Sequence, residues 1–184
     1  MKIAKYILSL CILLVSCVSN HHRNDPTISG NMTQYDSIYI TADIRWHKQY
    51  YPLLDRQVFS IDLITDGLIF DSVWNIQGTG QNLYASDIFL PLTDTLLQEG
   101  VYQLDSIPSA FTILPYKDFE GGRPTGCYMI DIANNSVNKI FGFVTGSMLV
   151  EYLNATDIRL EFSLYTTDSV HYRAVYQGPF EYHD

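Results

Sequence analysis

Several stretches of the chain alternate apolar and polar residues with a period of two, the pattern of a strand with one buried face. The clearest is 157–166, where Ile158, Leu160, Phe162 and Leu164 alternate with Arg159, Glu161, Ser163 and Tyr165. Residues 37–47 set Ile38, Ile40, Ala42, Ile44 and Trp46 against Tyr39, Thr41, Asp43, Arg45 and His47. Residues 57–65 place Phe59, Ile61 and Leu63 on one face, and 170–177 do the same with Tyr172, Ala174 and Tyr176. The β-branched and aromatic run 139–153 is broken by Gly142 and Gly146, which predicts a bulge or a close neighbouring backbone. Further strands are predicted over 68–77, 82–92, 101–104 and 128–132, with a short one at 111–114.

Turn chemistry separates these runs. Asp66-Gly67 is a hairpin signal, and Gly78-Thr79-Gly80, Glu99-Gly100, Asn134-Asn135-Ser136, Asn154-Ala155-Thr156, Thr167-Asp168 and Gly178-Pro179 punctuate the rest. Residues 106–126, with Gly121-Gly122, are the least regular part. No segment carries a helical period. The expectation is an all-β domain over 35–184, an antiparallel β-sandwich of about nine or ten strands, with a closed or partly closed β-barrel as the alternative.

The N-terminus changes this picture by adding an address. Lys2 and Lys5 precede an apolar run over 7–15, about as long as a secretory h-region and too short to span a bilayer. It ends in Leu14-Val15-Ser16-Cys17, which resembles the bacterial lipobox, where the signal peptide is cut just before a diacylated cysteine. Residues 1–16 are therefore read as a lipoprotein signal peptide. Cys17 is the lipidation site, and 17–34, rich in Asn, Ser, His, Gly and Pro, is a flexible tether reaching about 20 to 50 Å. Acyl chains at roughly 0.8 kcal/mol per buried methylene hold such a protein on a membrane without a transmembrane helix. His21-His22 has no further ligands at metal-binding spacing and reads as polar linker.

Charge and cysteine content narrow the partners. The formal charge is −9, and loss of Lys2 and Lys5 with the signal peptide takes it to −11. That argues against nucleic acid or anionic lipid as a ligand. With Cys11 in the signal and Cys17 acylated, Cys127 is left alone, flanked by Gly126, Tyr128 and Met129, and is read as a buried structural thiol. There is no Gly-x-Ser-x-Gly elbow, no His-Glu-x-x-His and no Walker loop, so no cofactor, no metal and no catalysis are expected. Aromatic residues make up 14% of the chain, with fourteen tyrosines. Tyr rings stack on sugar faces and offer a hydroxyl at the edge, so an exposed platform drawn from Tyr50, Tyr51, Tyr116, Phe119, Tyr172 and Tyr176 is a candidate carbohydrate site.

Two resemblances add to this reading. The lipobox, Gly78-Thr79-Gly80, Glu99-Gly100-Val101-Tyr102 and the closing meander from Val144-Thr145-Gly146 to Tyr176-Gln177-Gly178-Pro179 resemble those of Bacteroidetes lipoproteins of unassigned function. The resemblance implies a lipid-anchored β-sandwich of the outer membrane, periplasmic or surface-facing, and carries no catalytic residues. The residues after Cys17 lack the acidic cluster that resembles a surface-export signal, so both orientations stay open. Asp36-Ser37-Ile38, Asp71-Ser72-Val73, Asp94-Thr95-Leu96, Asp105-Ser106-Ile107 and Asp168-Ser169-Val170 resemble the O-glycosylation acceptors of the same bacteria, against about one expected by chance. That resemblance implies that Ser37, Ser72, Thr95, Ser106 and Ser169 lie on exposed turns. The function expected is a non-catalytic accessory or binding protein of the envelope, with a glycan or an envelope protein as partner, and a glycoside hydrolase is the most distant alternative.

Overall fold

A computed structural model describes residues 34–71, 75–118 and 124–183. The predicted signal peptide, Cys17 and nearly all of the tether lie outside the described residues. What is described is all β: β1 Gln34–Tyr39, β2 Thr41–Trp46, β3 Arg56–Ile64, β4 Leu68–Phe70, β5 Ile76–Gly78, β6 Gly80–Pro91, β7 Gly100–Leu104, β8 Thr112–Ile113, β9 Cys127–Ala133, β10 Ser136–Tyr152, β11 Asp157–Thr166, β12 His171–Pro179 and β13 Glu181–His183.

An antiparallel series runs β2–β3–β6–β9–β10–β11–β12. Beyond the end of β9, the short β8 and β7 fill the space between β6 and β10, so these five strands close a small ring. Two parallel ladders then join the start of the chain to its end. β1 lies along β12 from Gln34↔His171 to Tyr39↔Tyr176, and β13 lies along β2 from Glu181↔Asp43 to His183↔Arg45. The hydrogen bonding is thereby barrel-like, and these parallel seams depart from the purely antiparallel expectation.

The strand count also exceeds the nine or ten expected, because the runs 37–47 and 68–77 each give two strands and β13 follows β12 as a separate one. The first breaks at Ile40, and the period of two slips by one residue there. After the break Ala42 and Ile44 point inward as predicted; before it Tyr39 is buried while Ile38 is 78% exposed. At the other end β12 runs through the predicted break at Gly178-Pro179, and the interruption before β13 falls at Phe180. By contrast β11 spans the predicted residues, and Ile158, Leu160, Phe162 and Leu164 are fully buried. Both readings of the β10 glycines hold. The Tyr116 ring occupies the place of a Gly142 Cβ, the Ser163 carbonyl crowds Gly146, and the register shifts between Phe143 and Thr145.

One core fills the interior, with Ile44, Phe59, Ile61, Leu83, Ile88, Tyr102, Phe143, Met148 and Phe162 in contact across it. Each such side chain contributes about 1.5–3 kcal/mol by leaving water. Cys127 sits fully buried in this core, where burial pushes its thiol pKa up, as the structural reading predicts. Strand β3 is unusual in being covered on both faces, since Val58, Ser60 and Ile64 on its outer side are buried as well. The cover over Ile64 comes from the β4–β5 hairpin, whose Leu68 and Ile76 pack with Ile64, Ile130 and Ile132. Asp66-Gly67 makes the predicted turn, but the strand after it leaves the sheet to pair with β5 rather than with β3. Past the other end of β3, residues 47–55 fold over the same outer face. A groove remains between the two covers.

Candidate functional site: a tyrosine-walled groove

The sheet register lines up the groove floor. One cross-strand row reads Asp43, Asp62, Tyr84, Tyr128 and Gly142 through β2, β3, β6, β9 and β10, and a second pairs Arg45 with Ser60. All these side chains lie on the outer face, opposite the core positions. Asp43, Ser60 and Asn82 are nevertheless buried. Polar groups sunk on a face that could have been left to water mark a built site.

Asp62 lines this groove. Its Oδ1 accepts a hydrogen bond from Asn82 Nδ2 at 2.7 Å, and Asn82 also donates to the Leu63 carbonyl at 3.1 Å. Burial lifts the Asp62 carboxyl from 3.8 to about 6; the Asn82 bond and the charge of Arg45 oppose the rise and Asp43 adds to it. The Asp43 carboxylate in turn fixes Arg45, with Nε at 2.7 Å and Nη2 at 2.6 Å from Oδ2.

Asp87 reaches the same groove by a backbone device. The β3–β6 register shifts between Phe59 and Ile61, and opposite that shift Asp87 adopts a left-handed φ of 55°. Its Oδ1 accepts from the Tyr51 hydroxyl at 2.6 Å and its Oδ2 from Ser86 Oγ at 3.0 Å, while Ser86 Oγ accepts from the Gly126 amide at 2.8 Å. One carboxylate thus ties Tyr51 to Ser86, and through Ser86 to Gly126. His47 lies close by, its Nε2 2.9 Å from Ser60 Oγ. Burial, helped by Arg45, lowers its pKa below the ordinary 6.5, so the ring is neutral at pH 7.

Aromatic rings form the walls. Tyr50 stands edge-on to Tyr51 with centroids 5.0 Å apart, and Tyr51 leans on Phe89. On the far side Tyr84 and Tyr128 are 5.3 Å apart, and Tyr116 meets Tyr128 at 6.1 Å. The cavity that Tyr50, Tyr51, Tyr84 and Tyr128 line with Asp62, Asn82 and Asp87 measures about 600 Å³, a size that takes a small ligand. Among the described residues no group of His, Cys, Asp and Glu is arranged to hold a metal ion. The chemistry available is stacking on tyrosine faces and hydrogen bonding to carboxylate, amide and hydroxyl groups.

The predicted site residues divide. Tyr50 and Tyr51 line the groove, whereas Tyr116 does not: it packs on Gly142, against Tyr128. Tyr172 and Tyr176 do not serve as an exposed platform: they are 3% and 1% exposed in the core, because the same alternation that placed them on one face turned that face inward. Phe119 lies outside the described residues. Of the glycosylation candidates, Thr95, Ser106 and Ser169 are exposed outside the strands. Ser37 is not on a turn; it is half-buried in β1, its hydroxyl donating to Gln81 Oε1 at 2.5 Å. Ser72 lies outside the described residues.

Asp62, Asp87, Arg45, His47, Asn82, Tyr84 and Tyr128 were not singled out from the sequence. The signal available was the polar side of the alternating runs 37–47 and 57–65, where Arg45, His47 and Asp62 stand. Comparison with protein-family models, with curated proteins and with solved structures finds no match to this chain.

Proposed function

We propose that this protein is a lipid-anchored binding module of the bacterial cell envelope, that its ligand is a carbohydrate, and that it binds without catalysis. The observation that supports this best is the groove, in which four tyrosines surround the buried Asn82 and Asp87 and the half-buried Asp62 and Ser86. A sugar ring presents an apolar C–H face to an aromatic ring and hydroxyls to acceptors such as Asp87 and Asp62. The anchor at Cys17 rests on the lipobox alone and places the domain at a membrane surface.

The reading is tested by titrating the protein with a broad panel of soluble polysaccharides and oligosaccharides in native gels and by calorimetry. Tyr50 is 65% exposed, so Tyr50→Ala should leave the fold intact and weaken binding roughly tenfold. Silence across the panel would remove the carbohydrate reading. Turnover of any bound glycan would refute binding without catalysis.

A further inference from the structure

The groove's charge is lopsided, and that bears on which sugar it takes. Among the described residues Asp62 and Asp87 both line it, against Arg45 and His47 as its basic groups. Arg45 is engaged through two nitrogens by Asp43, and His47 is neutral at pH 7. The walls add to the negative character, because the face of a tyrosine ring attracts a cation.

The two lining carboxylates differ in how far they are satisfied. Both oxygens of Asp87 accept hydroxyl donors, from Tyr51 and from Ser86. Asp62 has only the Asn82 bond on Oδ1, and its second oxygen has no hydrogen-bond partner among the described residues. The groups that face it are Asp43 and Arg45 from β2 and Asn82 and Tyr84 from β6, and none of them is a cation within ion-pair distance of it. A partly buried carboxylate with one oxygen open to the groove, beside Tyr84, is the complement of an ammonium group on a ring.

We propose that the groove selects glycans bearing a free amine, with the ammonium against Asp62 and the sugar face on the tyrosine walls. This rests on the carbohydrate reading above and narrows it. A hydroxyl at the same carbon lacks the charge, and an N-acetyl group removes the charge and adds bulk.

The experiment titrates the full chain at pH 7 with three β-1,4-linked tetrasaccharides that differ only at C2, those of glucosamine, N-acetylglucosamine and glucose. The glucosamine tetramer should bind about tenfold or more tightly than the other two, the range of one desolvated charge-assisted bond. Asp62→Asn should abolish the preference, so that the glucosamine and glucose tetramers bind this variant with affinities within about twofold of each other. Bare 1,6-diaminohexane, which carries amines but no ring, should bind at least about tenfold more weakly than the glucosamine tetramer. Equal affinities for the three sugars, or a preference that survives Asp62→Asn, would overturn the inference and leave the carbohydrate reading standing. Diaminohexane binding as tightly as the tetramer would overturn both, since the site would then be one for amines. If none of the three tetramers binds, the inference fails, while the carbohydrate reading falls only if the broader panel is silent too.

Discussion

Replacing Asp62 by Asn should make the protein more stable at pH 8 and leave its stability almost unchanged at pH 4. Burial raises the Asp62 carboxyl from 3.8 to about 6 in the folded chain. A carboxyl that holds its proton more tightly when folded favours the folded state as pH falls. The charging cost is therefore fully present above pH 6, fades between about pH 6 and pH 4, and is absent below the unfolded value. At ~1.4 kcal/mol for each tenfold change in proton affinity, the cost at pH 8 is up to ~3 kcal/mol. Water in the open groove screens part of it, which leaves about 1–3 kcal/mol to recover. The amide is close in shape, and its oxygen can keep the hydrogen bond from Asn82, so neither a cavity nor an orphaned donor offsets the gain. With a urea slope of ~2 kcal/mol per molar, the unfolding midpoint should rise by about 0.5–1.5 M at pH 8 and by less than about 0.2 M at pH 4. An equal shift at both pH values, or a lower midpoint at pH 8, would refute the reasoning, because Asp62 would then ionise in the folded state at little cost. The same result shows that this variant folds, which makes it a fair probe of ligand preference.

Other outcomes follow from the packing and from the anchor. Gly142→Val should drive the Tyr116 ring off β10 and cost about 1–3 kcal/mol, read as a lower melting temperature with faster nitration of Tyr116. In a variant carrying both Cys11→Ser and Cys17→Ser, Cys127 should not react with Ellman's reagent until the protein is unfolded by urea; reaction in the native state would contradict its full burial. Labelled palmitate should enter the wild-type chain in its bacterial host and be lost in Cys17→Ala. The mature protein from that host should carry glycan mass at Thr95, Ser106 or Ser169 and none at Ser37, and an unmodified mass would discard the glycosylation proposal.

The legibility of this chain differed between its interior and its outer face. The core followed from alternation alone, since Phe59, Ile61, Leu63 and the β11 set point inward as the period of two demands. What alternation cannot report is a change of phase, so the inversion at Ile40 went unread, as did the parallel seams it permits. The site was harder for a related reason. Asp62 and Asp87 look like ordinary solvent-facing residues until the β4–β5 hairpin and residues 47–55 are laid over the outer face, and such a second cover leaves no periodic trace. Tyr50 and Tyr51 were found because aromatic residues beside a proline at the end of a strand stand out. Tyr172 and Tyr176 were misplaced because tyrosine suits a core strand as well as it suits a sugar.

The parallel seam between β1 and β12 also sets when the molecule can finish folding. Gln34 meets His171, a contact between opposite ends of the domain, and no shorter-range strand substitutes for it. Such distant pairings carry the largest loop-closure cost and slow the search for the native state. Until β12 and β13 have been made, β1 lacks its ladder and the circuit stays open. A chain that closes only with its last strands stays threadable for as long as its C-terminal end is withheld, a delay in keeping with the proposed export across a membrane before folding.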